Sequence, residues 1–420
     1  MLVPVPSAAS AGPGDDPEPG SEALAARVAA GPGLWDDEEW LAELGEQPMR
    51  RAFELDAARH DVPPAAGGTA FGLEPVIFDG TTLGLFNCPE LAAESGVQEG
   101  EKHPRLRLVA LLQAGTMRWK TAAAGGYHDG ENALAGQLVD ALGPGQLSLA
   151  DRGFFSVDRW LRLSAAGTHL LWRVKNAARS VPFRLLRTLK DGPERVLLSE
   201  STNMPGKRRR HAGDRPLPRL KDTVARLVCF TVLTRTRRGR TKTAPIRVLT
   251  TLLDPEAFPA AEIAALYAAR WQAETAFLHL KKTVRGAGRV LRGRSAALAR
   301  QEAWALLLVH NMIAALAAEA AVTAGTSLAA VSFTAVLSLA REHVAADTCC
   351  RHCGQRPTSG PDPRARLTAA IAAQPLNRRD RKRTSGRATA ERRKWPTEEA
   401  GYDLTIVPSN QPKADTSPRT

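Results

Sequence analysis

Residues 74–86 read EPVIFDGTTLGLF. Val76, Ile77 and Phe78 are strand formers, Pro75 opens the run, and the turn-prone NCPE at 87–90 follows it. The stretch is a strand candidate. Its apolar part closes on Asp79, followed by Gly80. An Asp-Gly pair often makes a turn. The alternative is chemical: a carboxylate held where a buried strand meets the surface.

Working outward, RLRLVALLQAG (105–115) alternates basic and apolar residues before its apolar run, and MRWKTAAAGGY (117–127) offers a third strand. ENALAGQLVDALG (131–143) reads as a helix closed by Gly143. GQLSLADRGFF (145–155) is a short buried strand ending on Asp151, where a turn or cap is again the plain alternative. SVDRWLRLSAAG (156–167) is a helix with Ser156 as N-cap and Gly167 at its C-terminus. THLLWRVKN (168–176) is the next strand. Three strands followed by alternating helix and strand predict an α/β fold, a mixed sheet flanked by helices.

Residues 177–252 break that rhythm. Apolar runs such as RLVCFTVLT (226–234) are separated by basic, Gly- and Pro-containing loops, the longest at 204–219. This predicts a β-rich insertion. Helical periodicity takes over from Pro259 to Ala345. Three parts are therefore expected: an N-terminal segment (1–73, loosely structured at first), a central α/β domain (74–345) and a basic, disordered tail (346–420).

The chain has 420 residues, is 43% hydrophobic and carries a net charge of +13, so it can bury a real core while attracting a polyanion, most simply nucleic acid. The N-terminus lacks the basic and apolar regions of a signal sequence. The apolar stretch at 303–322 is interrupted by His310, Asn311 and Glu319, which favours a packed core helix over a membrane span. Five cysteines in such a length make no disulfide framework, and a reduced, cytoplasmic setting fits. Cys349, Cys350, His352 and Cys353 are too compressed for an ordinary zinc site.

Within LYAARWQAETAFLHLKK (266–282), Tyr267, Arg270, Glu274 and Lys281 stand out. At about 100° per residue they fall within a sector of roughly 60°, beside an apolar arc. Arg270 and Glu274 can be an ordinary i,i+4 pair, but that does not align Tyr267 and Lys281. If the strands bearing Asp79 and Asp151 are neighbours, a Glu274 packed across their ends completes an all-oxygen cluster. Hard divalent cations prefer such ligands, and two of them suit phosphodiester displacement. Arg285, Arg289, Arg292 and Arg294 follow closely and are candidates for phosphate contacts, against a plain solvated loop. Lys207 to Arg210 form a second basic run.

With these pieces in place, the chain resembles the IS4-type transposases, DDE enzymes with an RNase H-like catalytic core. VIFDGTTL carries Asp79, LSLADRGFFS carries Asp151, and the signature Y-x-x-R-x-x-x-E-x-x-x-x-x-x-K is met by Tyr267, Arg270, Glu274 and Lys281. The resemblance covers roughly residues 40–325. It implies a β-rich insertion before the last catalytic helix. It also implies two Mg²⁺ ions, replaceable by Mn²⁺, on Asp79, Asp151 and Glu274. Tyr267, Arg270 and Lys281 would hold phosphates of the transposon end. The expected partners are the element's terminal repeats and target DNA, with a homodimer in a synaptic complex at the nucleoid. The family's end-binding domain looks shortened within residues 1–73, and 177–252 contain no tryptophan to stack a flipped base. A non-catalytic, DNA-binding regulator is the alternative.

Overall fold

The computed structural model describes residues 44–59, 62, 64, 68–176, 183–189, 193–198, 222–235, 241–346, 362–374 and 401–406. The basic run 207–210, the Cys349–Cys353 group and the charged run 377–395 lie outside these residues.

Ten strands form one sheet: β1 (Glu74–Gly84), β2 (Arg105–Gln113), β3 (Arg118–Gly126), β4 (Gln146–Ala150), β5 (His169–Val174), β6 (Phe183–Thr188), β7 (Glu194–Leu198), β8 (Thr223–Arg235), β9 (Thr241–Thr250) and β10 (Gly401–Ile406). Their order is β3-β2-β1-β4-β5-β9-β8-β7-β6, with β10 paired to β8. β1, β4 and β5 run parallel, and the remaining pairs are antiparallel. The strands within 177–252 do not form a separate body. β9 bonds directly to β5, so the insertion prolongs the catalytic sheet.

β4 is buried at all five positions because helices cover both faces of the sheet. On one face, α1 (Gln47–Ala57), α5 (Ala260–Tyr267), α6 (Trp271–Leu278) and α7 (Ala296–Thr323) share a core with Ile77, Leu108, Trp119, Leu149 and Leu171. On the other, α3 (Glu131–Gly136) and α4 (Val157–Ala165) pack with Val76, Phe78, Leu111 and Trp172. α2 (Pro89–Ser95) lies between β1 and β2 in the chain. α8 (Phe333–Ala346) and α9 (Pro363–Ala372) close the fold against α7.

Local chemistry sets several boundaries. The Ser156 side chain accepts from the Arg159 N–H at the start of α4, and Gly167 follows the helix at φ +80, as expected. The helix expected over 131–143 is shorter. α3 stops at Gly136, and a 3₁₀ turn at Val139–Ala141 continues the chain. Glycine mid-helix is costly, and the 3₁₀ turn still buries Leu138 and Leu142. Two elements lie within 346–420, where composition predicts no order. α9 buries Leu367 and Ile371, one helical turn apart, and β10 extends the ladder of β8.

α7 is long and apolar enough to cross a membrane, but it runs through the core with Gln301, His310 and Asn311 buried. Asn311 is fully buried where the β2–β3 register shifts. Its side chain accepts from the Trp119 N–H (2.7 Å) and donates to the Trp119 carbonyl (2.9 Å). This satisfies backbone groups that the bulge leaves out of the ladder. At the other end of the chain's core, Phe53 of α1 packs on Trp304 at 5.6 Å. Buried Arg118 of β3 holds Asp56 at 3.0 Å.

His310 is also fully buried, with its ring 5.1 Å from Phe333 and 5.6 Å from Trp119. Burial, reinforced by His279, pushes its pKa down to about 3. Between its ordinary value and that one, the unfolded chain binds the proton and the folded one does not. Stability therefore falls as pH drops through the window from 6.5 to about 3. The slope is up to ~1.4 kcal/mol per pH unit. His310→Phe is expected to flatten this acid limb, read as urea midpoints at pH 5 and pH 7.5. An unchanged pH slope would assign the limb to other groups.

Candidate active site

β1 and β4 are parallel, and Phe78 opposite Ala150 is their last pair. Asp79 and Asp151 are the next residue on each strand. Beyond that point β4 leaves the sheet, while β1 runs on to Gly84 against an unbroken ladder with β2. Asp79 is therefore mid-strand and makes no Asp-Gly turn. A long-range partner, invisible in the local pattern, keeps the chain extended. The two carboxylates flank the lip where β1 and β4 part.

The third carboxylate arrives on a helix of mixed pitch. α5 passes through a 3₁₀ turn at Ala268–Arg270 into α6, and then into a π turn at His279–Val284, closed by the Arg285 N–H on the Leu280 carbonyl at 3.0 Å. A uniform 100° step does not hold across these turns. The contacts define the arrangement instead. Tyr267 Oη donates to the Ala150 carbonyl (3.4 Å), immediately before Asp151. Arg270 reaches Glu274 Oε1 (3.0 Å) and Asp79 Oδ2 (3.9 Å). Lys281 Nζ donates to Thr81 Oγ1 (2.7 Å), two residues beyond Asp79 on the same strand face.

Tyr267 and Arg270 are 5% and 7% exposed, so they sit inside the core and not at its margin. Arg270 tolerates this because carboxylates neutralise it. Trp271, by contrast, is 40% exposed, with the Arg270 guanidinium 5.1 Å from its ring centre. Asp151 takes Arg173 as its partner at 3.4 Å.

Electrostatics ties the group together. Burial pushes the Asp79 carboxyl up to about 6. The Gly80 N–H and Arg270 oppose the rise, and Glu274 and Glu131 add to it. Burial works against the charge on Arg270, but Tyr267, Asp151, Asp79 and Glu274 outweigh it and hold the guanidinium more firmly protonated. Burial raises the Tyr267 hydroxyl and keeps it a donor. It lowers the Lys281 ammonium, helped by repulsion from Arg285 and Arg105.

The donors from three elements are all carboxylate oxygens, which fits a hard divalent cation. Burial is the main cause of the raised Asp79 carboxyl, and Arg270 offsets it only in part. Among the described residues, no three acidic, His or Cys side chains are gathered closely enough to hold a metal ion as they stand. Arg270 holds two of the three carboxylates instead.

The remaining predicted cations divide. Arg285 joins Lys281 and Arg105 in a basic group, and its Nε and Nη1 are buried without hydrogen-bond partners. Arg289 and Arg292 are exposed on the following loop, and Arg294 lies 5.2 Å above the Phe86 ring. Thr81, Arg105, Glu131 and Arg173 escaped the sequence reading. The one signal available was the basic alternation that opens RLRLVALLQAG.

A sheet begun by three antiparallel strands and continued by parallel β4 and β5, with helices on both faces, is an RNase H-like α/β fold. Residues 71–312 match the family model described as Transposase DDE domain, and the chain belongs to that family. The match bears out the resemblance drawn from the three motifs. The chain is 27% identical over 275 residues to the transposase InsG for insertion sequence element IS4 of Escherichia coli (strain K12). That alignment covers 64% of this chain and spans 58% of the relative's length. The solved piggyBac transposase synaptic complex with hairpin DNA aligns over 76% of this chain and 60% of its own, at 11% identity and a TM-score of 0.38.

Proposed function

We propose that the protein is a DNA transposase that cleaves transposon-end DNA and joins it to a target by phosphoryl transfer. The observation that carries this reading is the lip between β1 and β4. It sets Asp79 beside Asp151 and links Glu274 to Asp79 through one buried guanidinium. Asp79, Asp151 and Glu274 would hold two Mg²⁺ ions, with Mn²⁺ as a substitute, which supply Lewis acidity and a nucleophile at neutral pH.

The chain's own residues supply positioning. Tyr267 anchors the end of β4 and thereby Asp151. Arg270 orients Glu274 and Asp79. Lys281, supported by Arg285 and followed by Arg289, Arg292 and Arg294, receives phosphates as they cross the lip. Water attacks phosphorus, the P–O3′ bond breaks, and a 3′-hydroxyl is released. That hydroxyl attacks the opposite strand, closing a hairpin as the flanking strand leaves. A second water opens the hairpin and regenerates the 3′-hydroxyl, which attacks a target phosphodiester and displaces a target 3′-hydroxyl. Two copies on paired ends at the nucleoid follow from the family resemblance, and a reduced, cytoplasmic setting from the cysteine usage. The division into 1–73, 74–345 and 346–420 rests on composition and pattern, with α9 and β10 of the last segment joined to the central sheet and helices.

The test uses the repeats flanking the gene as labelled duplexes, with Mg²⁺ or Mn²⁺. Cleavage and joined products are expected, and Glu274→Ala should abolish both without unfolding the protein. Full cutting by Glu274→Ala would refute the assignment. Binding without cleavage under either metal would leave a regulator.

Lys281→Ala is expected to weaken binding roughly three- to tenfold across all sequences and to lower the salt slope by about one. Fluorescence anisotropy over a salt series measures both. An unchanged slope would mean that Lys281 serves Thr81 alone.

A further inference from the structure

We infer that Glu131 is a fourth carboxylate of this site, adding negative charge that holds the divalent cation, and that Gly80 lacks a side chain in order to admit it. The inference rests on the metal-binding reading of Asp79, Asp151 and Glu274.

The argument begins with alternation along β1. Asp79 faces the helix bearing Glu274, so Gly80 faces the opposite layer, where α3 packs beside Phe78. Glu131 is the first residue of α3. A Cβ on Gly80 would overlap its carboxylate, with Glu131 Cδ 3.2 Å away. Its other oxygen lies 3.9 Å from the Cβ position of Gly153, two residues past Asp151. The Glu131 carboxylate thus sits between the residues that follow both strand aspartates, and its charge acts directly on Asp79.

The surrounding structure is built to keep it there. Asn132 Nδ2 donates to the Gly153 carbonyl (3.1 Å). Arg159 of α4, 7% exposed, donates to Asn132 Oδ1 (3.1 Å), to the Asn132 carbonyl (2.7 Å) and to the Phe154 carbonyl. One buried guanidinium therefore clamps the start of α3 to the loop after Asp151. Yet Glu131 itself has no hydrogen bond or ion pair among the described residues. A half-buried carboxylate whose charge reaches Asp79, with no ion-pair partner among the described residues, is poorly placed for stability and well placed for a divalent ion. As a first-turn residue it would also favour the helix dipole, but α3 is only six residues long.

The experiment measures Mn²⁺ affinity of the full-length chain by electron paramagnetic resonance of free Mn²⁺, without DNA, alongside metal-free melting. Glu131→Gln keeps the shape and removes the charge. It is expected to weaken Mn²⁺ binding roughly tenfold while raising, not lowering, metal-free melting. Gly80→Ala, which displaces the carboxylate but retains it, should weaken binding as well. Asp151→Asn is the control and should lose most of the binding. If Asp151→Asn weakens Mn²⁺ binding while Glu131→Gln and Gly80→Ala do not, this inference alone falls. If none of the three changes the affinity, the metal-binding reading falls with it.

Discussion

Asp79→Asn is expected to stop DNA cleavage and, at the same time, to make the metal-free protein more stable. Both effects come from one placement. The side chain is 15% exposed on a central strand, and burial pushes its pKa up to about 6. A carboxyl with a raised pKa binds its proton more tightly in the folded state. Stability is therefore greatest at low pH and is lost as pH rises from 3.8 to about 6. Above that window the fold carries an unfavourable buried charge, costing about 3 kcal/mol at most. Asparagine keeps the shape and removes the charge. Urea melts at pH 7.5 should show a gain of about 1–3 kcal/mol, and the wild-type pH dependence between 4 and 6 should flatten. Cleavage should fall by roughly a thousandfold or more, because Asp79 is a proposed metal ligand. A variant that is less stable at every pH would show that Arg270, not burial, dominates Asp79. A variant that cuts normally would remove Asp79 from the chemistry.

The second large effect is expected at Arg270. This guanidinium is 7% exposed, pairs with Glu274 at 3.0 Å and lies 3.9 Å from Asp79. Removing it leaves the buried Asp79 without its compensating cation, whereas Glu274, 43% exposed, stays solvated. Arg270→Ala is expected to cost about 1–3 kcal/mol in the metal-free protein. Arg270→Lys should recover only part, because ammonium cannot reproduce the planar fork that serves two carboxylates. Mn²⁺ should restore stability to Arg270→Ala more than it raises that of the wild type, since the ion brings the missing positive charge to the same oxygens. Denaturant midpoints with and without Mn²⁺ measure this directly. Equal Mn²⁺ stabilisation of both proteins would mean that Arg270 and the cation do not share the site.

The two variants separate the contributions at the lip. Asp79 gives up stability for function, and Arg270 recovers part of it when no cation is bound. Lys281 lies farther along β1, beside Arg285 and Arg105, and its repulsive neighbours leave it prepared for a phosphate. On the proposed reading the roles follow the strand: a metal ligand at Asp79 and a phosphate contact at the level of Thr81.

Much of this architecture was legible from local pattern. Ser156 and Gly167 bracket α4 because capping chemistry and a positive φ are properties of single residues. The apolar runs of β1, β4 and β5 reveal strands covered on both faces. His310, Asn311 and Glu319 rightly mark α7 as a core helix rather than a span. Asp79 and Asp151 stand out as the ends of apolar strands and Tyr267, Arg270, Glu274 and Lys281 by their alignment on a helix, while the family resemblance supplies their joint role. Other features depended on partners distant in the chain. Asp-Gly is a turn signal, yet the ladder from Val76–Gln113 to Gly84–Arg105 holds Asp79 in mid-strand. A charged side chain normally reads as surface, yet carboxylates on two elements allow Arg270 to be buried. Glu131 opens an unremarkable short helix, and only the approach of α3 to Gly80 brings its charge to Asp79. By itself, the sequence determined element types, caps and the inventory of reactive groups, because these follow from propensity and periodicity over a few residues. The tertiary structure decided which charges share a space, because pairing and desolvation depend on neighbours that the chain supplies from far away.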